Sequence, residues 1–550
     1  MKDPRFPELN QKQIKKLKDY GEVEEYDKET RVFALGDNKY DFFVILKGSV
    51  KIVDPYNDNK VIVDHDKNEF TGDSGMLSNR GAQFHADAQP GTVLLRIEPH
   101  RLKEAISKYS DISDTLLRAF FQRQETVLNE MEGGLILIGS QNSKKTYALR
   151  DFMEKNHLWH NYLNIDNSDR AKELLNNFNV EESDLPIIIT AQSTICKNPT
   201  IERLAKESGV LMDFEDEVFD VLVIGAGPSG LAASVYASSE GLKTVTIDSE
   251  SPGGQAGKSS KIENYLGFPT GISGGDLANR AYVQAQKFGC NISIPHKAES
   301  IKHTGDHFIL TASNGKKIKT KSIIAATGAN YRQLPIDGIE DYEGSGVYYS
   351  ATGMNVQSCK NQTVAIVGGG NSAGQAALFL AQYAKKVIIV LRGDNLGRKM
   401  SDYLVQRIET AKNIEVLINS EVTNLIGTGH LESIEITTKG KAKDYEIANL
   451  FTFIGAKPCT EWLENIVATD KNGFIITGLS LSDDDLSTCS IYRERKPQSL
   501  ETSIPGFFAV GDVRHGSVKR VASAVGEGSM CVSQVHQFLA DINQENKSFA

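Results

Sequence analysis

At 550 residues, with 40% hydrophobic and 24% charged side chains, the chain is too long for one core and is expected to divide into about three or four domains. A net charge of −10 leaves no basic excess to displace phosphate counterions, which excludes general nucleic-acid binding. No apolar run approaches the ~18 residues of a membrane span, and MKDPRFPELNQKQ lacks the apolar core of a signal peptide, so a cytoplasmic protein without a membrane partner is expected.

The first segment opens with a polar helical lead, PELNQKQIKKLKDYG, and then alternates with period two through TRVFAL and FFVILKGSVKIVD, with turns at Gly36, Asp37, Gly48, Asp54 and Pro55. Short strands between turns predict a small β-roll over residues 1–130, closed by the amphipathic helix ISDTLLRAFFQRQETVLNEM. In GDNKYDFFVILKGSVKI and EFTGDSGMLSNRGAQFHA the segment resembles the cyclic nucleotide-binding domain of the catabolite activator protein family. That resemblance implies that Gly72 and Asp73 take a ribose and that Arg80 and Ala82 take a cyclic phosphate. An arginine can hold a phosphate through paired charged hydrogen bonds. Here Asp73 is a methylene shorter than the family's glutamate, the loop before Arg80 is shortened, and Gln83 stands in place of Ser or Thr. A nucleotide-binding β-roll and a purely structural one both fit these residues.

In residues 131–212, GGLILIGS, HNYLNID and LPIIIT read as strands, and KKTYALRDFMEKN, RAKELLNNF and TIERLAKESGV as helices, giving an alternating α/β unit. The unit is similar to the thioredoxin and glutaredoxin fold, with Pro186 at the cis-proline place. At the redox place the chain reads Ser140, Gln141, Asn142, Ser143, and serine forms neither a disulfide nor a thiolate. A docking or spacer unit without CxxC is expected, with Cys196 as its lone cysteine.

After the acidic run DFEDEVFD comes VLVIGAGPSG, a β-branched strand that breaks into glycines and then into the helical pattern LAASVYASSEG. Gly225 permits the turn, Gly227 lets backbone approach a pyrophosphate, and Gly230 lets the helix pack on the strand, with Pro228 and Ser229 between them. Asp248 ends the next strand-like run, TVTID, about where an acid would accept a ribose hydroxyl. A second fingerprint follows in TVAIVGGGNSAGQAALFL, with Gly368, Gly370 and Ala373 in GxGxxA spacing and Asn371 and Ser372 inside the turn. Two such units in one chain imply two dinucleotides, or a dinucleotide and its electron donor.

From Phe219 to about Leu539 the chain resembles the low-molecular-weight thioredoxin reductase family, through GAGPSG, GGQ with IENYLGFP, ATGAN, GGGNSA, FIGAKP, and GFFAVGDV with RVASAVGEG. The resemblance implies an FAD domain, residues 213–338 and 457–550, interrupted by an NAD(P)H domain at 339–456, and a homodimer in which the NADPH domain rotates. The fold class is therefore multidomain: a cyclic nucleotide-binding-like β-roll, a thioredoxin-like α/β unit, and two Rossmann-like α/β domains. By position, Gln255 and Asn264 lie beside the flavin ring, and Thr327, Gly328, Gly511, Asp512, Val521 and Ala522 belong to the FAD site. The strand VIIVL ends without an acid and is followed by Arg392, Arg398 and Lys399, which favour the 2′-phosphate of NADPH over NADH; an exposed cationic loop is the competing reading.

The family's reactive CxxC falls in a context like GSGVYYSATGMN, where Ser350 and Gly353 now stand. The six cysteines, Cys196, Cys290, Cys359, Cys459, Cys489 and Cys531, form no CxxC and no metal-ligand spacing, so no metal is expected. The leading expectation is an NADPH-oxidising flavoprotein that hands electrons from FAD to an unidentified acceptor: a ferredoxin-like protein, a quinone, oxygen, or a partner's disulfide. Its alternatives are a nucleotide- or redox-sensing flavoprotein with little turnover and a disulfide reductase using Cys359 or Cys196. His515, just after Asp512, is either a proton donor to the flavin or acceptor or a surface residue.

Overall fold

The computed structural model describes residues 3–548 apart from 38, 79, 132, 179, 191–193, 215, 216, 260, 352, 488 and 494. In the β-roll, Glu22–Tyr26, Thr92–Ile97 and Phe42–Lys47 form one antiparallel sheet, and Thr30–Phe33, His85–Ala88, Val50–Asp54 and Lys60–His65 form a second. Aromatic side chains fill its core: Phe42 and Phe70 are fully buried, and the helix Ser110–Glu130 closes over them through Phe120.

The next unit is a four-stranded sheet in the order Ile195–Lys197, Ile187–Ile189, Leu135–Gly139, His160–Asn164. The central pair is antiparallel and the last pair parallel. Helices Lys144–Lys155, Asp169–Asn177 and Ile201–Glu207 flank it, each opened by a hydroxyl N-cap at Ser143, Ser168 or Thr200. The Leu185–Pro186 bond is cis, as the motif suggested. The edge strand Ile195–Lys197 was not foreseen, because three residues carry too little periodicity to show.

Both dinucleotide fingerprints lie in doubly wound sheets. In the first, Val218–Ile224 pairs in parallel with Thr244–Ile247 on one side and Lys317–Ala325 on the other, and Phe507–Ala509 adds to the latter from the far end of the chain. Val221 to Ile224 are all buried, as a strand covered on both faces requires. The second sheet has five parallel strands, ordered Val347–Tyr348, Leu450–Thr452, Thr363–Val367, Lys386–Leu391, Ile414–Ile418. A three-stranded antiparallel sheet, Ser420–Ile426, Ser433–Thr438 and Lys441–Tyr445, extends this domain and was not anticipated. The chain crosses between the two domains through Ala329–Tyr331 and Ala456–Pro458, which pair antiparallel as a two-stranded ribbon. Among the described residues no helix is long and apolar enough to cross a membrane.

The β-roll, the α/β unit that follows it and the domain of the first fingerprint meet at a polar seam. Asn156 Nδ2 donates to the Glu250 carbonyl at 3.0 Å, and Ser107 Oγ donates to that of Lys287 at 2.9 Å. His157 sits in this seam with φ +51°, and burial, reinforced by the nearby Arg80 charge, lowers its pKa from 6.5 to about 4. Between those values the unfolded chain binds a proton here that the folded chain refuses. The stability is therefore fully present above pH 6.5 and is withdrawn as pH falls through about 4. Thermal unfolding at pH 7.5 and pH 5 is expected to differ by up to about 2 kcal/mol from this residue. His157→Asn, which tolerates the left-handed backbone, is expected to flatten that difference.

Candidate functional site

Of the three glycines of the first fingerprint, the protein's own packing requires two. Gly225 has φ +108°, and a Cβ there would lie 2.3 Å from the Ala326 carbonyl oxygen. A Cβ at Gly230 would lie 1.8 Å from the Gly225 oxygen, so the helix Pro228–Ser239 needs glycine to lie on its strand. At Gly227 a Cβ would meet nothing nearer than 4.0 Å. The protein's own packing does not require that glycine; the open space before the helix N-terminus fits a pyrophosphate approaching the backbone. Asp248 follows the strand Thr244–Ile247 and accepts from the backbone N–H groups of Ala226 at 2.7 Å and Glu250 at 2.8 Å. Burial raises its carboxyl pKa against those bonds.

Ser229 is buried against Gly511, whose Cβ would lie 2.4 Å from the serine hydroxyl. The Gly511 N–H donates to Glu527 at 2.7 Å, and Glu527 in turn pairs with Arg514 at 2.6 Å. Asp512 lies beside them in the turn Gly511–Val513; burial pushes its carboxyl up while Lys519 opposes the shift. Val521 begins the helix Val521–Ser548, with Ala522 exposed on its first turn. Thr327 donates its hydroxyl to the Cys459 carbonyl at 2.8 Å, tying the ATG turn to the returning ribbon strand, and Gly328 adopts φ +65° with open space beside it.

A cleft of about 320 Å³, its mouth included, separates the two dinucleotide domains. Gln255 and Lys258 line one wall; Ser350, Ser372, Gln375 and Phe453 line the other. Gln255 Nε2 donates to Asn330 at 3.2 Å, while its Oε1 is buried without a partner among the described residues, an orphaned acceptor that suits a cofactor ring. Asn264 is not among the residues that line this cleft; it is exposed on the loop after Ile262.

The second fingerprint repeats the logic of the first. Gly368 has φ +141° and would place a Cβ 2.4 Å from the Phe453 oxygen, Gly370 faces open space, and Ala373 is fully buried. Asn371 is turned inward, accepting from the Ser401 N–H at 2.7 Å. Arg392 directly follows the strand Lys386–Leu391, exposed and without a protein acceptor among the described residues. Arg398 is exposed too, but donates to Asp394 at 2.9 Å.

Two weak candidates are removed from the chemistry. Cys359 is fully buried and burial pushes its thiol up to about 11, so it cannot serve as an accessible thiolate. His515 is engaged by Asp470, Nδ1 to Oδ2 at 2.8 Å, which fits the surface reading rather than proton donation at the cleft.

The β-roll holds a cavity of about 900 Å³, its mouth included, whose apolar walls include Phe33, Ile52, Val63, Phe84 and Val127. Gly72, with φ +100°, and Asp73 lie on its edge, but the carboxylate is already occupied. It caps the turn Ser74–Leu77 through the Gly75 N–H at 2.6 Å and accepts from Tyr40 at 3.0 Å. Ala82 is buried, its N–H donating to the Asp37 carbonyl at 3.0 Å. Arg80, expected to hold a phosphate, instead donates through Nη2 and Nη1 to the Asn156 and His157 carbonyls at 2.8 and 3.1 Å. Sequence reasoning missed Arg123, whose guanidinium donates to the carbonyls of Gly72 at 2.6 Å and Phe70 at 3.2 Å. Burial lowers its pKa to about 10. The signal was present: Leu116, Ala119, Phe120, Arg123 and Val127 fall on one helical face, an arginine in a buried stripe.

Residues 219–528 match the pyridine nucleotide-disulphide oxidoreductase family, and residues 23–109 match the cyclic nucleotide-binding domain. The chain is 34% identical over 317 residues to a thioredoxin reductase of Mycoplasmopsis pulmonis, covering 58% of this chain and 96% of that one. It is 29% identical over 337 residues to the Bacillus subtilis thioredoxin reductase, covering 61% and 99%. Among solved structures, Lactococcus lactis thioredoxin reductase in its FR conformation matches with TM-score 0.52 and 29% identity over 59% of this chain and 99% of that one. The T. acidophilum enzyme gives the same TM-score and identity over 60% and 100%. With two glycine turns that leave room for two dinucleotides, the chain belongs to the pyridine nucleotide-disulphide oxidoreductase family as an NADPH-dependent, FAD-using flavoprotein of thioredoxin reductase type, carrying an N-terminal cyclic nucleotide-binding domain.

Proposed function

We propose that this enzyme passes electrons from NADPH through FAD to an acceptor that meets the flavin in the cleft between Gln255 and Ser350, without a protein dithiol in between. The observation that carries this reading is the cleft lining: hydroxyls, amides, Lys258 and Phe453, with no sulfur among the described residues. Cys290, Cys359 and Cys531 are buried, and burial pushes the Cys459 thiol up to about 11. FAD bound here would supply the two-electron redox chemistry that links NADPH to the acceptor. The chain's own residues position the partners: the Gly227 and Gly370 turns admit the diphosphates, Gln255 meets the ring, and Arg392 meets the 2′-phosphate. The β-roll, on this reading, is a regulatory site for a nucleotide, and the enzyme acts as a homodimer in the cytoplasm.

The test is NADPH oxidation by the full-length protein offered ferredoxin, a benzoquinone, oxygen or thioredoxin, with and without cyclic AMP or cyclic GMP. Turnover is expected with a non-thiol acceptor and not with thioredoxin. Thioredoxin reduction that equals or exceeds the best other acceptor would overturn the reading.

A further inference from the structure

The helix Lys144–Lys155 touches three other parts of the chain. At its C-terminal end, the Asn156 and His157 carbonyls accept from Arg80 of the β-roll, and Asn156 Nδ2 reaches the Glu250 carbonyl of the FAD domain. At its N-terminal end, Lys144 Nζ donates to the Glu340 carbonyl of the NADPH domain at 2.9 Å. One turn on, the Tyr147 ring packs on Tyr348 with centroids 5.9 Å apart and lies against Gly344. Tyr147 also hydrogen-bonds Asn355, in the helix Gly353–Cys359 beside the cleft residue Ser350. An α-helix of 12 residues spans about 18 Å, so one rigid element joins the β-roll cavity to the segment bordering the flavin cleft.

Its β-roll end holds one unmet donor. Arg80 lines the cavity, and the carbonyls it holds are neutral. Its Nε is buried with no acceptor among the described residues. A phosphate in the cavity that accepted from Nε would meet that charge while both Nη groups kept their hold on the helix. At the other end, the NADPH domain is joined to the FAD domain by the two-stranded ribbon and by the Arg407–Glu263 pair at 2.8 Å, both compatible with hinging.

We propose that the helix Lys144–Lys155 is a strut by which a phosphate-bearing ligand in the β-roll cavity, held by Arg80, fixes the setting of the NADPH domain against the FAD domain. The proposal rests on the reading of this enzyme as one in which NADPH reduces FAD. The setting shown places Ser372 and Gln375, at the start of the NADPH-fingerprint helix, in the same cleft as Gln255, so fixing it favours electron transfer into the flavin.

The experiment uses the full-length, flavin-loaded protein with cyclic AMP, cyclic GMP and inorganic phosphate as probes. Two quantities are measured: hydrogen exchange of residues 339–359, and the rate at which NADPH bleaches the flavin under anaerobic conditions. A bound cyclic nucleotide is expected to slow exchange in that segment and to raise the bleaching rate about fivefold or more. Phosphate alone reproducing both effects would identify the free anion as the ligand and support the strut equally. Tyr147→Ala is expected to bind the probe, as seen by calorimetry, yet to lose both responses; Arg80→Gln is expected to lose binding. The proposal is overturned if Tyr147→Ala responds as the wild type does, or if none of the probes binds the wild type. If exchange responds and depends on Tyr147 while NADPH never bleaches the flavin, the strut stands and the donor reading fails.

Discussion

Gly230→Ala is expected to yield a protein without flavin and with a much lower Tm, whereas Gly227→Ala should fold normally and bind FAD weakly. The contrast follows from what each methyl would meet. At Gly230 it would sit 1.8 Å from the Gly225 oxygen and 3.2 Å from the Ala326 side chain, so the helix Pro228–Ser239 must lift from its strand. Overpacking of that kind costs about 1–3 kcal/mol or more and tilts the N–H groups that a diphosphate needs. At Gly227 the backbone is extended enough for alanine, with φ −70° and ψ −178°, and the nearest atom lies 4.0 Å away. That methyl intrudes only on the ligand, so affinity should fall about 10- to 100-fold with Tm of the flavin-free protein unchanged. Flavin absorbance after purification and thermal unfolding check both; full flavin content in Gly227→Ala would show that the diphosphate lies elsewhere.

For Arg392→Ala, the expected result is a KM for NADPH raised about 10- to 100-fold with kcat little altered and NADH kinetics unchanged. The guanidinium follows the strand Lys386–Leu391 directly and has no protein acceptor among the described residues to release first. A charged hydrogen bond to the 2′-phosphate is worth about 1.5–3 kcal/mol, and its loss is uniform binding energy that moves KM rather than kcat. Arg398→Ala should do less, because Arg398 already donates to Asp394. Steady-state kinetics with both donors decide this, and an equal loss for NADH would remove Arg392 from donor selection.

Much of the fold was legible because its signals are local. The β-branched run before Gly225, the small residues after it and the alternation in FFVILKGSVKIVD each report a period that the backbone imposes on itself. The roles of Gly225 and Gly230 were legible for the same reason: each depends on atoms within a few residues or on the adjacent strand. Arg80 shows where such reasoning stops. Its place in the loop before Ala82 suggested a phosphate, but its acceptors, Asn156 and His157, lie in another unit and carry no mark in the sequence, since they act through backbone carbonyls. Cys359 and His515 were open for a related reason: identity and spacing tell neither burial nor partner, and core packing and Asp470 decided each. Arg123 was readable in principle, because a cation in an apolar helical stripe must find acceptors inside.

The two-stranded ribbon carries a consequence for how this chain can be cut and rejoined. Ala329 stands opposite Pro458 in that antiparallel pair. Facing residues in such a pair lie about 4.5–5.5 Å apart at Cα. The whole donor module is thus an insertion whose entry and exit almost touch, and a linker of about two residues could close the gap it leaves. What remained would be an uninterrupted flavin-binding unit behind its two N-terminal neighbours. The polypeptide is laid out as a host with an inserted guest, so a chain shortened at the ribbon should keep the capacity to hold the flavin and lose the capacity to be reduced by a nicotinamide.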